Sequence, residues 1–310
     1  MGRGRYAPSP TGPLHLGNVR TALLAWLHAR LTQSVFVLRM EDIDGPRCRP
    51  GAAETILDDL RWLGLDWDEG PDVGGTFGPY TQSENTAAYQ SALDSLVSKE
   101  LAYPCWCSRR EIAEASSAPH GATPIYPGTC SHLSPEQRAA RQAEQPDRIP
   151  SWRFRVGATV TVVDGLLGPI TQNLSAEVGD FVLKRADGLW AYQLAVVVDD
   201  IQMKITDVVR GADLADSAPR QAALFSALGA DVPTFWHVPL MLDADGHRMS
   251  KRDGSESLRE LRQTESAEKV VGRLAASLGW ADIGTELSAT TLLQDLSLEQ
   301  FRNLRASTAS

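Results

Sequence analysis

Apolar residues in this chain fall into short, separated runs, and each run has a period that points to an element. Residues 19–31 carry Leu23, Leu24, Trp26 and Leu27 on one side, which predicts an amphipathic helix. Residues 35–40 form a short apolar run, the mark of a buried strand. Residues 52–63 and 86–100 return to the helical period. Residues 3–6 are too few and too polar to be assigned as a strand. The alternation of strand and helix predicts a parallel sheet with crossover helices. From 101 to 179 the text becomes rich in Pro, Ser and Cys, with strand-like stretches such as 160–163, and reads as an insertion. The alternation resumes at 193–200, an apolar run assigned as another buried strand. A helix at 219–228 and a short strand near 236–242 follow. Beyond Lys251 the pattern is helical, including 267–278. The expected organisation is a first half at 1–100, the insertion at 101–179, a second half at 180–247 and a small helical region at 248–310.

Composition narrows the class. Of 310 residues, 43% are hydrophobic and 22% charged, which suits a soluble globular protein. No apolar run approaches a membrane span, and no apolar stretch follows Arg3 and Arg5 to make a secretory signal. Four cysteines are too few for a disulfide framework in a chain this long; they read as cytoplasmic thiols or metal ligands. A net charge of −9 argues against a general nucleic-acid binder, though arginines cluster at Arg109-Arg110, at 138–148 and from Arg248 to Arg262. Each cluster taken singly is a solvated helix face.

Two segments carry chemistry. Pro8-Ser9-Pro10-Thr11-Gly12-Pro13-Leu14-His15-Leu16-Gly17-Asn18 is a Gly/Pro-bounded loop that can open a helix and present N–H groups to phosphate. His247-Arg248-Met249-Ser250-Lys251-Arg252 can close over that phosphate and neutralise charge through Lys251. Together they predict adenylation of a carboxylate by ATP. In the insertion, Cys105, Cys107 and Cys130 offer three thiolates to a structural zinc. Spacing alone favours His120 or His132 as the fourth ligand, and leaves Cys48 a lone thiol.

The motif Arg5-Tyr6-Ala7-Pro8-Ser9-Pro10-Thr11-Gly12, with His15-Leu16-Gly17-Asn18, resembles the opening of class I glutamyl-tRNA synthetases. Arg39-Met40-Glu41-Asp42-Ile43-Asp44, the stretch 195–200 and Arg210-Gly211-Ala212-Asp213 continue the resemblance in family order, and 248–252 is similar to the family's second ATP signature. The likeness spans roughly residues 3–255. The first signature departs at Leu16 and Asn18, the second at Arg248 and Arg252, which removes possible ATP contacts but keeps Lys251. Fewer than 60 residues follow Lys251, too few for an anticodon-binding domain. A shorter branch of the family, the glutamyl-queuosine tRNA(Asp) synthetases, fits better.

The resemblance implies an α/β fold: a Rossmann-type class I catalytic domain with a parallel sheet, a zinc-containing insertion and a small C-terminal helical region. His15 and Lys251 would be catalytic. Gly17, Asn18, Arg248, Met249, Ser250 and Lys251 would hold ATP, with magnesium. Arg5, Tyr6, Ala7, Pro8, Ser9, Glu41, Tyr192 and Arg210 would hold L-glutamate. Among these, Arg5 and Arg210 face its carboxylates and Glu41 its ammonium. Such a site rejects glutamine, because an amide leaves arginine without an anion. The metal would sit on Cys105, Cys107, Cys130 and Tyr126. Glutamate is then activated without tRNA and passed to queuosine at the wobble position of tRNA(Asp); no obligate protein partner or membrane is implied. Two other readings stay open. One is an ordinary glutamyl-tRNA synthetase in truncated form; the other is a catalytically silent paralogue that binds glutamate or RNA. Singly, His15 would be a surface-loop histidine and Arg5 or Glu41 an ordinary surface charge; the ordered set carries the catalytic reading.

Overall fold

A computed structural model describes residues 1–115, 125–241 and 257–304. Its central sheet has four parallel strands in the order β2-β1-β8-β9, formed by β1 (Arg3–Tyr6), β2 (Val35–Leu38), β8 (Asp207–Gly211) and β9 (Thr234–Val238). Helix α1 (Leu16–Leu31) is the crossover between β1 and β2, and α2 (Ala52–Trp62) and α3 (Thr86–Ser98) follow. Chain polarity had argued against a strand at 3–6, yet β1 lies at the middle of the sheet and is buried throughout. Its arginines are satisfied by remote partners. Arg3 donates from Nε to the Met203 carbonyl (2.6 Å) and from Nη2 to Glu69 (2.6 Å), and Arg5 faces Asp200 (3.4 Å). None of these is visible in the local sequence.

The run at 193–200 is a helix, not the strand its composition suggested: α7 spans Tyr192–Gln202. Residues 194–200 are all buried, between α3, β7 (Phe181–Lys184) and α8 (Ala218–Leu228). A helix covered on every side has no polar face, so its 3.6-residue period vanishes from the sequence and a valine-rich run looks like a strand. Strand β9 ends at Val238, short of the expected 242, because Pro239 has no N–H to extend the ladder.

Between the halves lies an antiparallel sheet, β3-β4-β7, with β3 at Ala102–Cys105 and β4 at Ser151–Phe154. Helices α4 (Arg109–Ala115) and α5 (Pro135–Glu144) fall within this region. A separate hairpin, β5 (Thr159–Asp164) and β6 (Gly168–Asn173), leads into α6 (Leu174–Glu177). The hairpin turns away from the antiparallel sheet and packs on α8 and β9. Gly165 makes that approach possible: its N–H donates to the Phe235 carbonyl (2.8 Å), and a Cβ there would lie 2.2 Å from Trp236 Cε3.

Helices α9 (Leu258–Leu261), α10 (Ala267–Ala276), α11 (Ala289–Asp295) and α12 (Leu298–Arg302) fold back on α1 and share its core. Phe301 is fully buried against His28, Trp236 and Trp280, with ring centroids 5.2, 6.2 and 6.4 Å away. Arg262 reaches the buried Asp59 of α2 at 2.7 Å. Among the described residues no helix is long and apolar enough to cross a membrane. Because Phe301 joins the C-terminal helices to the sheet, Phe301→Ala is expected to destabilise the protein by about 3–5 kcal/mol in urea unfolding. A loss below about 1 kcal/mol would mean that these helices stand outside the cooperative core.

Candidate active site

The sheet order reverses between β1 and β8, and parallel sheets bind ligands at such a switch, beyond the carboxyl ends of the strands. A cavity of about 660 Å³ opens there. Its walls include Arg5, Tyr6, Ala7, Pro8, Ser9, His15, Gly17, Asn18, Glu41, Tyr192 and Arg210, so one space gathers the expected glutamate residues and the first ATP loop. Arg248, Met249, Ser250 and Lys251 lie outside the described residues. The chain on either side of them does not. Pro239, Leu240 and Met241 line the cavity, Ser257 forms a β-bridge with His15, and the Leu258 N–H donates to the Leu14 carbonyl (2.8 Å). The first ATP loop is thus paired directly with the chain that follows the second.

His15 is the N-cap of α1 and accepts the Asn18 N–H on Nδ1 (3.4 Å). In a neutral ring this leaves the proton on Nε2, so the imidazole is held as a donor on its other edge. Gly17 packs beneath it: a Cβ there would come within 3.1 Å of both Nδ1 and Cε1. Leu16, one of the departures from the family signature, points into the core, and Asn18, the other, keeps a polar group on the cavity wall. The Tyr6 hydroxyl donates to the Asn18 carbonyl (3.2 Å) and ties the end of β1 to this turn.

Arg5 and Arg210 face the same cavity from neighbouring strands. Arg210 donates from Nε to His237 Nε2 (3.0 Å), from Nη1 to Gln221 (2.7 Å) and from Nη2 to the Leu214 carbonyl (3.2 Å), all neutral partners. Burial pulls its guanidinium below the usual arginine range, and Arg5 adds to the effect. Two buried cations beside one cavity are poised for an anion. Glu41 stands next to them through a backbone bond to the Pro8 carbonyl (2.9 Å), and burial pushes its carboxyl up.

Beneath these groups lies a residue that the motif Arg39–Asp44 contained but to which no role was given. Arg39, with no exposure to water, meets Asp200 at 2.7 Å, Glu41 at 3.1 Å and Asp199 at 3.7 Å. Asp199 also accepts from Gln82 (2.7 Å), Asn85 (2.8 Å) and the Tyr89 hydroxyl (2.8 Å). The two aspartates titrate in opposite directions. Burial raises Asp199, whereas for Asp200 burial is outweighed by Arg39 and Arg5, which hold it below the usual carboxylate range. A signal existed: Arg39 interrupts the apolar run at 35–40, and Asp199-Asp200 ends the one at 193–200.

The model of "tRNA synthetases class I (E and Q), catalytic domain" matches residues 2–300. The chain belongs to this family. A glutamyl-Q tRNA(Asp) synthetase of Symbiobacterium thermophilum is 53% identical over 284 residues, which cover 90% of this chain and 87% of the relative. A glutamate–tRNA ligase of the same organism is 40% identical over 316 residues, covering 99% of this chain and 64% of the relative. The glutamate-tRNA synthetase structure from Elizabethkingia anophelis matches with a TM-score of 0.84 at 29% identity, over 98% of this chain and 67% of that one. The chain is therefore a class I synthetase, an enzyme of the ligase type, and its sheet, switch point and cavity are those of a catalytic domain.

The synthetase's cysteines converge as the spacing required. The sulfurs of Cys105, Cys107 and Cys130 lie within 4.8 Å of one another, and Cys48 is elsewhere, bonded to the carbonyls of Asp42 and Asp44. Tetrahedral ligation with metal–sulfur bonds of about 2.3 Å needs sulfurs about 3.8 Å apart. Cys107 and Cys130 are 3.7 Å apart. The Tyr126 oxygen is 3.3 Å from the Cys105 sulfur and 3.9 Å from that of Cys107, and it accepts the Cys130 N–H (2.8 Å). His132 is exposed and outside the cluster, and His120 lies outside the described residues. Hydrogen bonding from Cys130 pulls the Cys105 thiol down to about 4 against the effect of burial. Cys130 itself is pushed up by that same bond and by burial, and Tyr126 by burial. The three sulfurs are placed to hold a metal.

Asp200 gives a pH test of the charge network. Its folded carboxyl is depressed, so its contribution to stability is full above the ordinary carboxylate range and is lost as pH falls. Asp200→Asn is expected to cost about 3–5 kcal/mol at neutral pH. That gap should narrow once pH drops below about 4. Urea unfolding across this range checks it; a gap independent of pH would contradict the assignment.

Proposed function

We propose that this synthetase activates L-glutamate with ATP in the absence of tRNA and transfers the glutamyl group to queuosine at the wobble position of tRNA(Asp). The observation that carries the first step is the sharing of one cavity by Arg5, Arg210 and Glu41 with the His15 loop. Two forked cations suit the two carboxylates of glutamate, and Glu41 suits its ammonium. Tyr192 adds a hydroxyl, and Ala7, Pro8 and Ser9 shape the wall. In the reaction a carboxylate oxygen attacks the α-phosphorus and pyrophosphate leaves. Positioning and charge neutralisation dominate such a step. His15 donates from Nε2 to phosphate, Gly17 and Asn18 border the nucleotide, and Arg248, Met249 and Ser250 present Lys251 to the charge that develops. Magnesium accompanies ATP. A hydroxyl of the queuosine cyclopentene-diol then attacks the acyl carbon and AMP departs.

The acceptor rests on the contrast within one organism: this chain is 53% identical to its glutamyl-Q tRNA(Asp) synthetase and 40% identical to its glutamate–tRNA ligase. The protein would act in the cytoplasm with its tRNA. Glutamate-dependent exchange of pyrophosphate into ATP is expected without tRNA, and Lys251→Ala should lower its kcat by about two to three decades. Charging should require tRNA(Asp) that carries queuosine. Equal charging of tRNA(Asp) lacking it, or charging of tRNA(Glu), would sink the acceptor assignment.

For the insertion, we propose one structural zinc on Cys105, Cys107, Cys130 and Tyr126, with no corner left for water. The purified protein should carry one zinc per chain by elemental analysis. Cys130→Ser should lose it and lower the melting temperature, while Tyr126→Phe should weaken retention against a chelator about ten- to a hundredfold. Unchanged zinc retention in Tyr126→Phe would remove that residue from the ligand set.

A further inference from the structure

We propose that Asp164 and His237 position Arg210 for the carboxylate of glutamate, so that a buried pair behind the cavity sets the affinity for the amino acid. The inference rests on the reading of Arg210 as a carboxylate-binding residue. His237 stands beside Arg210 in the β8–β9 register, and Asp164 arrives from the end of β5, on the hairpin that Gly165 allows to close against β9. Neither side chain has any exposure to water, and neither is part of the cavity wall.

The hydrogen bonds fix every proton in the chain of contacts. A guanidinium has donors and no acceptor, so the contact between Arg210 Nε and His237 Nε2 at 3.0 Å requires a lone pair on Nε2. His237 is then neutral with its proton on Nδ1, which lies 2.6 Å from Asp164 Oδ2. Asp164 is an acceptor throughout. Its Oδ1 takes the N–H groups of Leu166 and Leu167, both at 2.9 Å, and its two oxygens share the His237 N–H at 3.3 and 3.2 Å. The carboxylate therefore selects the tautomer that accepts from Arg210. Gln221 holds Nη1 and is itself braced by a bond to Gln193 (3.0 Å), and the Leu214 carbonyl holds Nη2. Among the described residues these neutral partners take up Nε and one N–H of each Nη, so one N–H on each Nη is left for a ligand. The guanidinium also lies 4.9 Å over the Phe235 ring, which stacks on His237. Arg210 is clamped on its Nε edge and one face before any ligand arrives.

The tests use variants that alter protons more than volume. In Asp164→Asn, keeping the oxygen toward Leu166 and Leu167 turns the amide NH2 toward His237. That moves the ring proton to Nε2, against the Arg210 N–H. His237→Phe keeps a ring but removes the acceptor. His237→Gln can donate to Asp164 and accept from Arg210. Tyrosine-sized changes are avoided altogether. In pyrophosphate exchange, Asp164→Asn and His237→Phe are expected to raise the KM for glutamate about ten- to a hundredfold, with the KM for ATP within about twofold and His237→Gln recovering most of the loss. Titration calorimetry with glutamate alone should report the same ranking. Lower stability with an unchanged glutamate KM, or equal rises in both KM values, would overturn the inference and leave a structural role. Should His237→Phe fail to fold, the isosteric Asp164→Asn decides. Arg210→Gln separates the two claims. If it raises the glutamate KM and Asp164→Asn does not, the reading of Arg210 stands and the positioning pair falls. If Arg210→Gln leaves the glutamate KM unchanged, or if the parent binds no glutamate, both fall.

Discussion

A guanidinium wholly removed from water must be surrounded by anions, and the anions that Arg39 collects come from distant parts of the chain. Glu41 lies just beyond β2, while Asp199 and Asp200 sit on α7, some 160 residues later. Arg5, from β1, shares Asp200. The strands and the helix must be in place together for this network to close, because each partner removed leaves an uncompensated charge beneath the cavity floor. The same condition aligns Arg5 and Glu41 at the cavity, so the electrostatics that hold the two halves of the sheet together also arrange the polar groups above them. Asp199 and Asp200 divide the task. One is enclosed by Gln82, Asn85 and Tyr89 and carries the cost of burial; the other is held ionised by two arginines.

The side of the cavity proposed for ATP is built on backbone rather than on buried charge. His15 caps α1, Gly17 makes room for its ring, and the bridge from His15 to Ser257 brings the start of α9 against the first loop. Arg20 adds a second tie, donating from Nη2 to the Pro239 carbonyl (2.7 Å) at the exit of β9. Both ends of the segment that carries the second ATP signature are thereby fastened to α1 or to the loop that opens it. In the proposed adenylation both loops approach the same phosphates, and ties on either side of the second lower the entropy of bringing them together.

Much of this was legible in the sequence. Helix α1 and strand β2 form where their apolar runs predict them, although α1 is buried on nearly every side rather than on one face, and the order of motifs gathers Arg5, Glu41, Tyr192 and Arg210 into one family pattern that the cavity unites. What was not legible lay in interactions with distant parts of the chain. Strand β1 looked too polar because its arginine side chains find partners about 66 to 200 residues away. Helix α7 looked like a strand because burial on all sides erased its period. Arg39 opens a family motif but was given no role there, and the Asp164–His237 pair carries no motif at all; both become intelligible only when the sheet places them behind the cavity residues. Long-range polar pairing is the part of a fold that local pattern cannot display.

The metal cluster extends the same logic into the insertion. Three thiolates around a divalent ion leave an excess negative charge in a mostly buried setting, and a nearby cation offsets it. Arg153 is placed for this: its guanidinium lies 3.9 Å over the Tyr126 ring, it lowers the Cys105 thiol, and its Nη1 is anchored on the Asp180 carbonyl (2.7 Å). Asp180 also accepts from the Tyr103 hydroxyl of β3 and from the Val156 N–H (2.8 Å). It sits at the point where the chain enters β7 and returns to the catalytic half. The cluster is therefore not an isolated clip on a loop. The cysteine cluster is faced by Arg153 of β4, whose other partner begins the strand that leads into α7, and through α7 the insertion is joined to the aspartates under the cavity floor.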